Sequence, residues 1–205
     1  ALSVQLENQI AYPYLLLLVS GGHTEFTIVK QFDNYKRIGT TLDDALGEAF
    51  DKTARLLNLG YPGGPQIEKC AKNGNPDTYQ FPMPLIHEKN CNFSFSGLKS
   101  SVAQLVLNKK ITEKFKCDVS ASFQRTIAEI LIKKTRKAVD IFNDMNKKQK
   151  TVNIVVAGGV AANKYLRGSL KSIEKKSNIQ FFFPSLQLCT DNGAMIAYAG
   201  IERYE

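Results

Sequence analysis

Two strand-to-glycine junctions in this sequence have the makings of a phosphate site. The first reads Leu18-Val19-Ser20-Gly21-Gly22 and the second Val156-Ala157-Gly158-Gly159. Glycine lets successive backbone N–H groups turn toward one point and lets an anion approach closely. The second junction leads toward a helix start, where unpaired N–H groups and the helix dipole favour negative charge. A single such turn is also ordinary turn chemistry. Two of them, each after an apolar run, predict one shared phosphate site.

Carboxylates come next. Asp44, Glu48 and Asp51 are spaced i, i+4, i+7, which places them on one face of a helix. There they would hold ribose hydroxyls or a metal, or else form a solvated acidic face. Asp51 is also close in sequence to the Gly63-Gly64 turn, so Asp51 and Gly64 are expected to line one pocket. Asp191 stands at the start of the last helix, where it is either a helix cap or a hard metal ligand. Asn163 is read as a cap or as a partner for a base or ribose. The chain has only His23 and His87, and no Ser–His–Asp order supports a hydrolytic triad.

These groups need elements to carry them. Tyr14–Val19 is a continuous apolar run that reads as a buried strand. Glu25–Lys30 reads as its returning partner across a glycine hairpin. Asp43–Asn58 has helical spacing and Gly60 as a stop. Pro65 opens a short helix that Gly74 closes. Ser96 is expected to cap one helix, and Ser120 or Ser122 to begin a long one running to about Asn143. Thr151–Ala157 is a second buried strand, followed by a helix with Leu166, Leu170 and Ile173 inward. Gln180–Phe183 is a third strand, and Thr190 is expected to cap the final helix. Asn73–Asn92 is loop-like. Strands alternating with helices define an α/β class.

Composition sets the outer bounds. The 205 residues are 43% apolar and 22% charged, as in a folded domain with a core. No apolar run reaches the length of about 18 residues that a membrane helix needs, and residues Ala1–Asn8 carry no basic leader region. A cytoplasmic protein is expected, with the mitochondrial matrix as the other compartment. Four separated cysteines without a CxxC pair argue against a zinc ribbon. The net charge of +8 and a pI near 9.3 favour an anionic partner such as nucleic acid, or reflect solvated lysine-rich helix faces. The chain has no initiator Met and enters a strand within its first dozen or so residues, so an excerpted or processed piece is expected.

Taken in order, six segments resemble one family: LLVSGGHTEF (Leu17–Phe26), LDDALGEAFDK (Leu42–Lys52), YPGGP (Tyr61–Pro65), FSFSGLK (Phe93–Lys99), AGGVAANKYLR (Ala157–Arg167) and CTDNGAMIAYAG (Cys189–Gly200). They are similar to the motifs of the TsaD family, once called O-sialoglycoprotein endopeptidase. The resemblance spans nearly the whole chain. It implies one RNase-H-like lobe of the superfamily of actin, sugar kinases and heat-shock ATPases (ASKHA). A helical insertion would occupy about residues 43–143, and the family's first lobe would lie outside the chain.

The resemblance also implies an acyltransferase. It would move threonylcarbamoyl from threonylcarbamoyl-AMP to the N6 amine of the adenosine 3'-adjacent to the anticodon, in tRNAs that read codons beginning with A. Position by position, Leu18, Val19, Ser20, Gly21 and Gly22 would hold the acyl-adenylate, or ATP. Asp51 and Gly64 would bind its adenosine part, Asn163 would complete the pocket, and Asp191 would ligate iron or zinc. The family's two histidine ligands fall just before Ala1. The implied partners are tRNA and TsaB-like and TsaE-like helper subunits, and a face made for another lobe would favour dimerisation. Two other readings stand beside this one: a non-catalytic nucleotide-binding or interaction module, and a small-molecule kinase of the same superfamily. FSFSGLK and the last motif speak against the kinase, and no zinc-protease helix motif supports the peptidase label.

Overall fold

The apolar run Tyr14–Val19 becomes the central strand β1, buried on both faces. The structure, a computed structural model, describes residues 2–146, 149–174, 178–189 and 192–204. β1 pairs antiparallel with β2 (Thr24–Gln31), which pairs antiparallel with β3 (Asn34–Thr40). On its other side β1 runs parallel to β4 (Val152–Ala157), and β4 runs parallel to β5 (Ile179–Phe182). The five-stranded sheet is therefore ordered β3-β2-β1-β4-β5.

Alternation along the strands divides the sheet into two faces. Leu15, Leu17 and Val19 join Phe26, Ile28, Ile154 and Val156 in the main core. Tyr14 and Leu16 point the other way and pack with Val29, Val155, Val4 and Ile10. The main core is covered by helices inserted in sequence between β3 and β4: α1 (Leu46–Leu56), α2 (Gly63–Ala71), α3 (Ser96–Asn108) and α4 (Glu113–Met145). Phe123 of α4 meets Phe50 of α1 edge to face at 5.4 Å and Phe81 of the 72–95 connection at 6.4 Å. α4 touches β1, β4 and α2, and also α5 (Lys164–Lys171). α6 (Gly193–Tyr204) buries none of its side chains and lies beside a 3-10 turn at Leu2–Leu6. No helix of the described residues is long and apolar enough to cross a membrane.

Several boundaries differ from expectation, each for a local reason. α1 begins at Leu46, because Thr24 Oγ1 accepts the Leu46 N–H at 2.8 Å and the two aspartates before it are engaged elsewhere. α2 begins at Gly63, two residues before Pro65. α4 begins at Glu113, where the Thr112 side chain accepts the Phe115 N–H. Ser120 and Ser122 are buried inside α4, and the Ser122 hydroxyl holds the Tyr79 N–H at 3.1 Å. Ser96 does not cap α3: the Asp43 carboxylate arrives from about fifty residues upstream and accepts the Phe95 and Ser96 N–H groups at 2.8 and 3.3 Å. β3 was not expected. It is an exposed edge strand carrying Lys36 and Arg37, with no apolar alternation to mark it. The Asn192 side chain caps α6 through the Met195 N–H; Thr190, the expected cap, lies outside the described residues.

The long connection over residues 72–95 holds no helix or strand. Two lysines of α4 pin it. Fully buried Lys134 donates to the carbonyls of Leu85 and Asn90 at 2.7 and 3.1 Å, and Lys137 donates to those of Ile86 and Glu88. Burial away from water pushes the Lys134 amine below its ordinary pKa. All four cysteines are free thiols; Cys91 and Cys189 are buried, while Cys70 and Cys117 face each other at 3.1 Å.

Candidate functional site

Because β1 and β4 are adjacent and parallel, their carboxyl ends bring both glycine junctions together, with Leu18 opposite Ala157. Open α/β sheets present ligand crevices at that end of their strands. A cleft of about 380 Å³ lies there, between the two junctions and the first turns of α1 and α2. That volume is of the size that holds a small ligand.

The cleft depends on close backbone packing. Gly158 has φ +98, and a Cβ there would lie 2.4 Å from the Val19 carbonyl oxygen. At Gly47 a Cβ would meet the Gly21 backbone at 2.8 Å, so α1 docks directly against the first junction. By contrast, a Cβ at Gly21, Gly64 or Gly159, which line the cleft, would meet nothing within 4 Å.

The two junctions are not equivalent. In the first, the Gly22 and His23 N–H groups turn toward the Ser20 hydroxyl at 3.3 and 3.0 Å, which departs from a nest of free donors. In the second, a 3-10 turn (Gly159–Ala162) comes before α5, and its leading N–H groups have no acceptor within the turn. The start of α5 itself is filled: the Asn163 side chain accepts the Leu166 N–H at 3.0 Å and Glu68 accepts the Lys164 N–H at 2.8 Å. The donors left for an anion are therefore those of the 3-10 turn, one step earlier than the expected helix start.

The acidic series divides. Asp44 precedes α1, and Asp44 and Glu48 both pair with Lys52, at 2.7 and 2.8 Å. Hydrogen bonding to Lys52 holds the Glu48 carboxyl below its ordinary pKa. These two share Lys52 on one salt-bridged acidic face, the second of the two readings of the series, with Asp44 lying just before the helix. Asp51 lines the cleft, with one carboxylate oxygen accepting the Gly63 N–H at 2.7 Å. It thereby caps α2 and aligns Gly64.

Of the expected site residues, Gly21, Asp51, Gly64 and Asn163 line this cleft together. Leu18 and Val19 stand behind it as the last two residues of β1, with Val19 in the main core and Leu18 against the opposite face. Ser20 and Gly22 shape the first junction but do not line the cleft. Asp191 lies outside the described residues. Both histidines are exposed and neither lines the cleft. Glu68 was missed: it lines the cleft one helical turn after Gly64, and that i+4 spacing was the available signal. Phe50, Val160 and the two flanking prolines of the YPGGP turn were likewise not foreseen.

Fold and cleft together define an α/β protein with a glycine-walled cleft at the ends of two parallel strands. The chain belongs to the TsaD family, described as tRNA N6-adenosine threonylcarbamoyltransferase, whose family model matches residues 1–198. Proteins of that description from Rickettsia rickettsii (strain Sheila Smith) and Pelagibacter ubique are each 53% identical over the whole of this chain. The chain spans 60% and 57% of their respective lengths. Among solved structures, full-length HypF in a phosphate- and nucleotide-bound form superposes with a TM-score of 0.69 at 13% identity. It covers 98% of this chain and 34% of HypF. HypF from T. kodakarensis gives 0.51 at 17% identity, over 86% of this chain and 22% of that one. At such identities the likeness is one of fold alone.

Proposed function

We propose that this chain is the nucleotide-binding lobe of an enzyme that transfers the threonylcarbamoyl group from threonylcarbamoyl-AMP to the N6 amine of the adenosine 3'-adjacent to the anticodon. The observation that carries this reading is the convergence of Gly21, Asp51, Gly64, Gly159 and Asn163 on one cleft. Membership of the TsaD family supports it. The sheet order, with an antiparallel β1–β2–β3 unit continued by parallel β4 and β5, supports an RNase-H-like lobe of the actin, sugar-kinase and heat-shock ATPase kind. Residues 43–143 are then its helical insertion.

In this reading the N–H groups of the 3-10 turn face the phosphate of the adenylate. The free oxygen of Asp51 and the Gly64 backbone hold the ribose, and Asn163 meets the base. The amine attacks the carbamoyl carbonyl carbon, the bond to the phosphate oxygen breaks, AMP leaves and the amine loses a proton. Donors fixed at the phosphate stabilise the charge that grows on the leaving group. Holding the mixed anhydride still supplies the rest of what these residues contribute. The net charge of +8 suits a tRNA backbone, whose binding is driven by release of counterions. TsaB-like and TsaE-like helpers, and another lobe or a second copy against the exposed α6, are the expected partners, in the cytoplasm.

The family's iron or zinc is a separate matter. Among the described residues no three His, Cys, Asp or Glu side chains come together as a metal site. Asp191 alone falls short of the roughly three protein ligands a catalytic transition metal takes. The described residues do not fit a metal by themselves, and no step above is routed through one.

The test is a tRNA modification assay. The 205-residue chain, and a form extended upstream to the length of its relatives, are incubated with threonylcarbamoyl-AMP, tRNA and the helper subunits. Mass spectrometry of the digested tRNA reads the product. Product from the extended form supports the proposal. Product from the 205 residues alone would show that this chain needs no further residues for the transfer. Product from neither, with nucleotide still bound, replaces the enzyme by a binding module.

A further inference from the structure

The Asn163 carboxamide is held at both ends. Its Oδ1 accepts the Leu166 N–H at 3.0 Å, and its Nδ2 donates to Gln124 Oε1 at 2.9 Å. Asn163 and Gln124 are 7% and 4% exposed, so neither bond is traded freely for water. The polarity is forced. A backbone N–H can only donate, so Oδ1 must face Leu166; Nδ2 must then face the other way, where only an acceptor will serve. Gln124 sits on α4, which also packs against α2 and the sheet, so the acceptor comes from a helix anchored on several sides. Gln124 does not line the cleft. It lines a second cavity of about 420 Å³, beyond Glu68 and beside Ala121 and Tyr165.

We infer that Gln124 is a positioning residue, which fixes the Asn163 carboxamide so that one N–H and one oxygen lone pair remain directed at the adenosine part of the ligand. This rests on the proposed role of Asn163 as a ligand contact. Without the Gln124 oxygen, Nδ2 is buried without an acceptor. The side chain then either leaves its cap or reorients, and the cleft loses a defined donor–acceptor pair.

The test is a double-mutant cycle on nucleotide affinity in the full-length protein, with ATP as probe and isothermal calorimetry as readout. Asn163→Ala and Gln124→Met are each expected to weaken ATP by about tenfold, the scale of one well-placed hydrogen bond. In the Asn163→Ala background, Gln124→Met is expected to cost no further affinity, and Gln124→Glu, which keeps the acceptor, to stay within about threefold of wild type. A merely structural role would instead make the two losses add. Where the Met variant is too unstable to purify, Gln124→Asn withdraws the acceptor by one carbon and must show the same non-additivity. Normal affinity in Gln124→Met with a loss in Asn163→Ala overturns the inference and leaves the site reading intact. Normal affinity in Asn163→Ala overturns the inference together with the role given to Asn163. No ATP binding by the wild type overturns the nucleotide-site reading itself.

Discussion

Adjacent glycines in the second junction should fail in opposite ways. At Gly158 a methyl group would sit 2.4 Å from the Val19 carbonyl oxygen, at φ +98. Real Cβ contacts of that kind begin beyond about 3 Å, so β1 or the junction must shift by most of an ångström in a close-packed region. Backbone strain and overpacking together put Gly158→Ala at about 2–4 kcal/mol of lost stability. At Gly159 a methyl group meets nothing and projects into open space beside the cleft. Gly159→Ala should therefore fold within about 0.5 kcal/mol of wild type. It should nonetheless bind ATP at least about tenfold more weakly, because the backbone can no longer approach a phosphate closely. Urea midpoints at constant m-value and calorimetric ATP titration separate the two effects. A Gly158→Ala variant as stable as wild type, or a Gly159→Ala variant that unfolds early, would refute the account of how the cleft wall is built.

Other outcomes follow from the same contacts. Asp43→Ala should cost about 1–2 kcal/mol after allowing for solvent screening, since the carboxylate caps α3 and also takes the Ser94 and Ser96 hydroxyls. Burial pushes the Asp43 carboxyl up, but those bonds outweigh it and hold it below its ordinary 3.8. Its contribution is thus whole above that value and fades as pH falls from there through the folded pKa; a loss of stability that Asp43→Asn reproduces without any change of acid sensitivity would count against it. Lys134→Met leaves the Leu85 and Asn90 carbonyls without their donor and should lower stability by about 1–3 kcal/mol. Because the folded amine is pushed down, wild-type stability should rise as pH climbs through the folded pKa toward 10.5, and the Met variant should lack that rise. Burial, reinforced by the hydrogen bond with Cys117, pushes the Cys70 thiol up to about 11. Iodoacetamide should label it slowly at pH 8 and faster as pH approaches that value, and labelling at the rate of free cysteine would disprove the burial argument.

What could be seen in the sequence was what local pattern encodes. β1, β4 and both glycine junctions are contiguous strings, so Gly21 and the region around Asn163 were legible, and Asp51 with Gly64 followed from their shared neighbourhood. β3 was not legible, because an exposed edge strand carries charges instead of alternation. The start of α4 was misplaced because buried Ser120 and Ser122 look like caps, while the Ser122 hydroxyl bonds Asn75 and Tyr79 of another segment. The Asp44–Glu48–Asp51 series was legible only as two alternatives, a binding face or a solvated acidic one, since spacing does not say that Lys52 claims Asp44 and Glu48 while Asp51 reaches the cleft. Glu68 was within reach through its i+4 spacing from Gly64, but its bond to the Lys164 N–H, 96 residues on, and that of Gln124 with Asn163, 39 residues on, were not. No periodicity marks a partner at that distance.

The 33-residue helix α4 bears on how fast the site fills. At 1.5 Å per residue it runs for about 50 Å, and it packs against α2, which lines the cleft through Gly64, Pro65 and Glu68, and against α5, whose cap Asn163 also lines it. Neither helix can swing without breaking contact with that common strut. A ligand therefore meets a cleft that is already assembled, and its capture should show single-phase kinetics whose rate climbs linearly with ligand concentration, with no plateau from a preceding rearrangement.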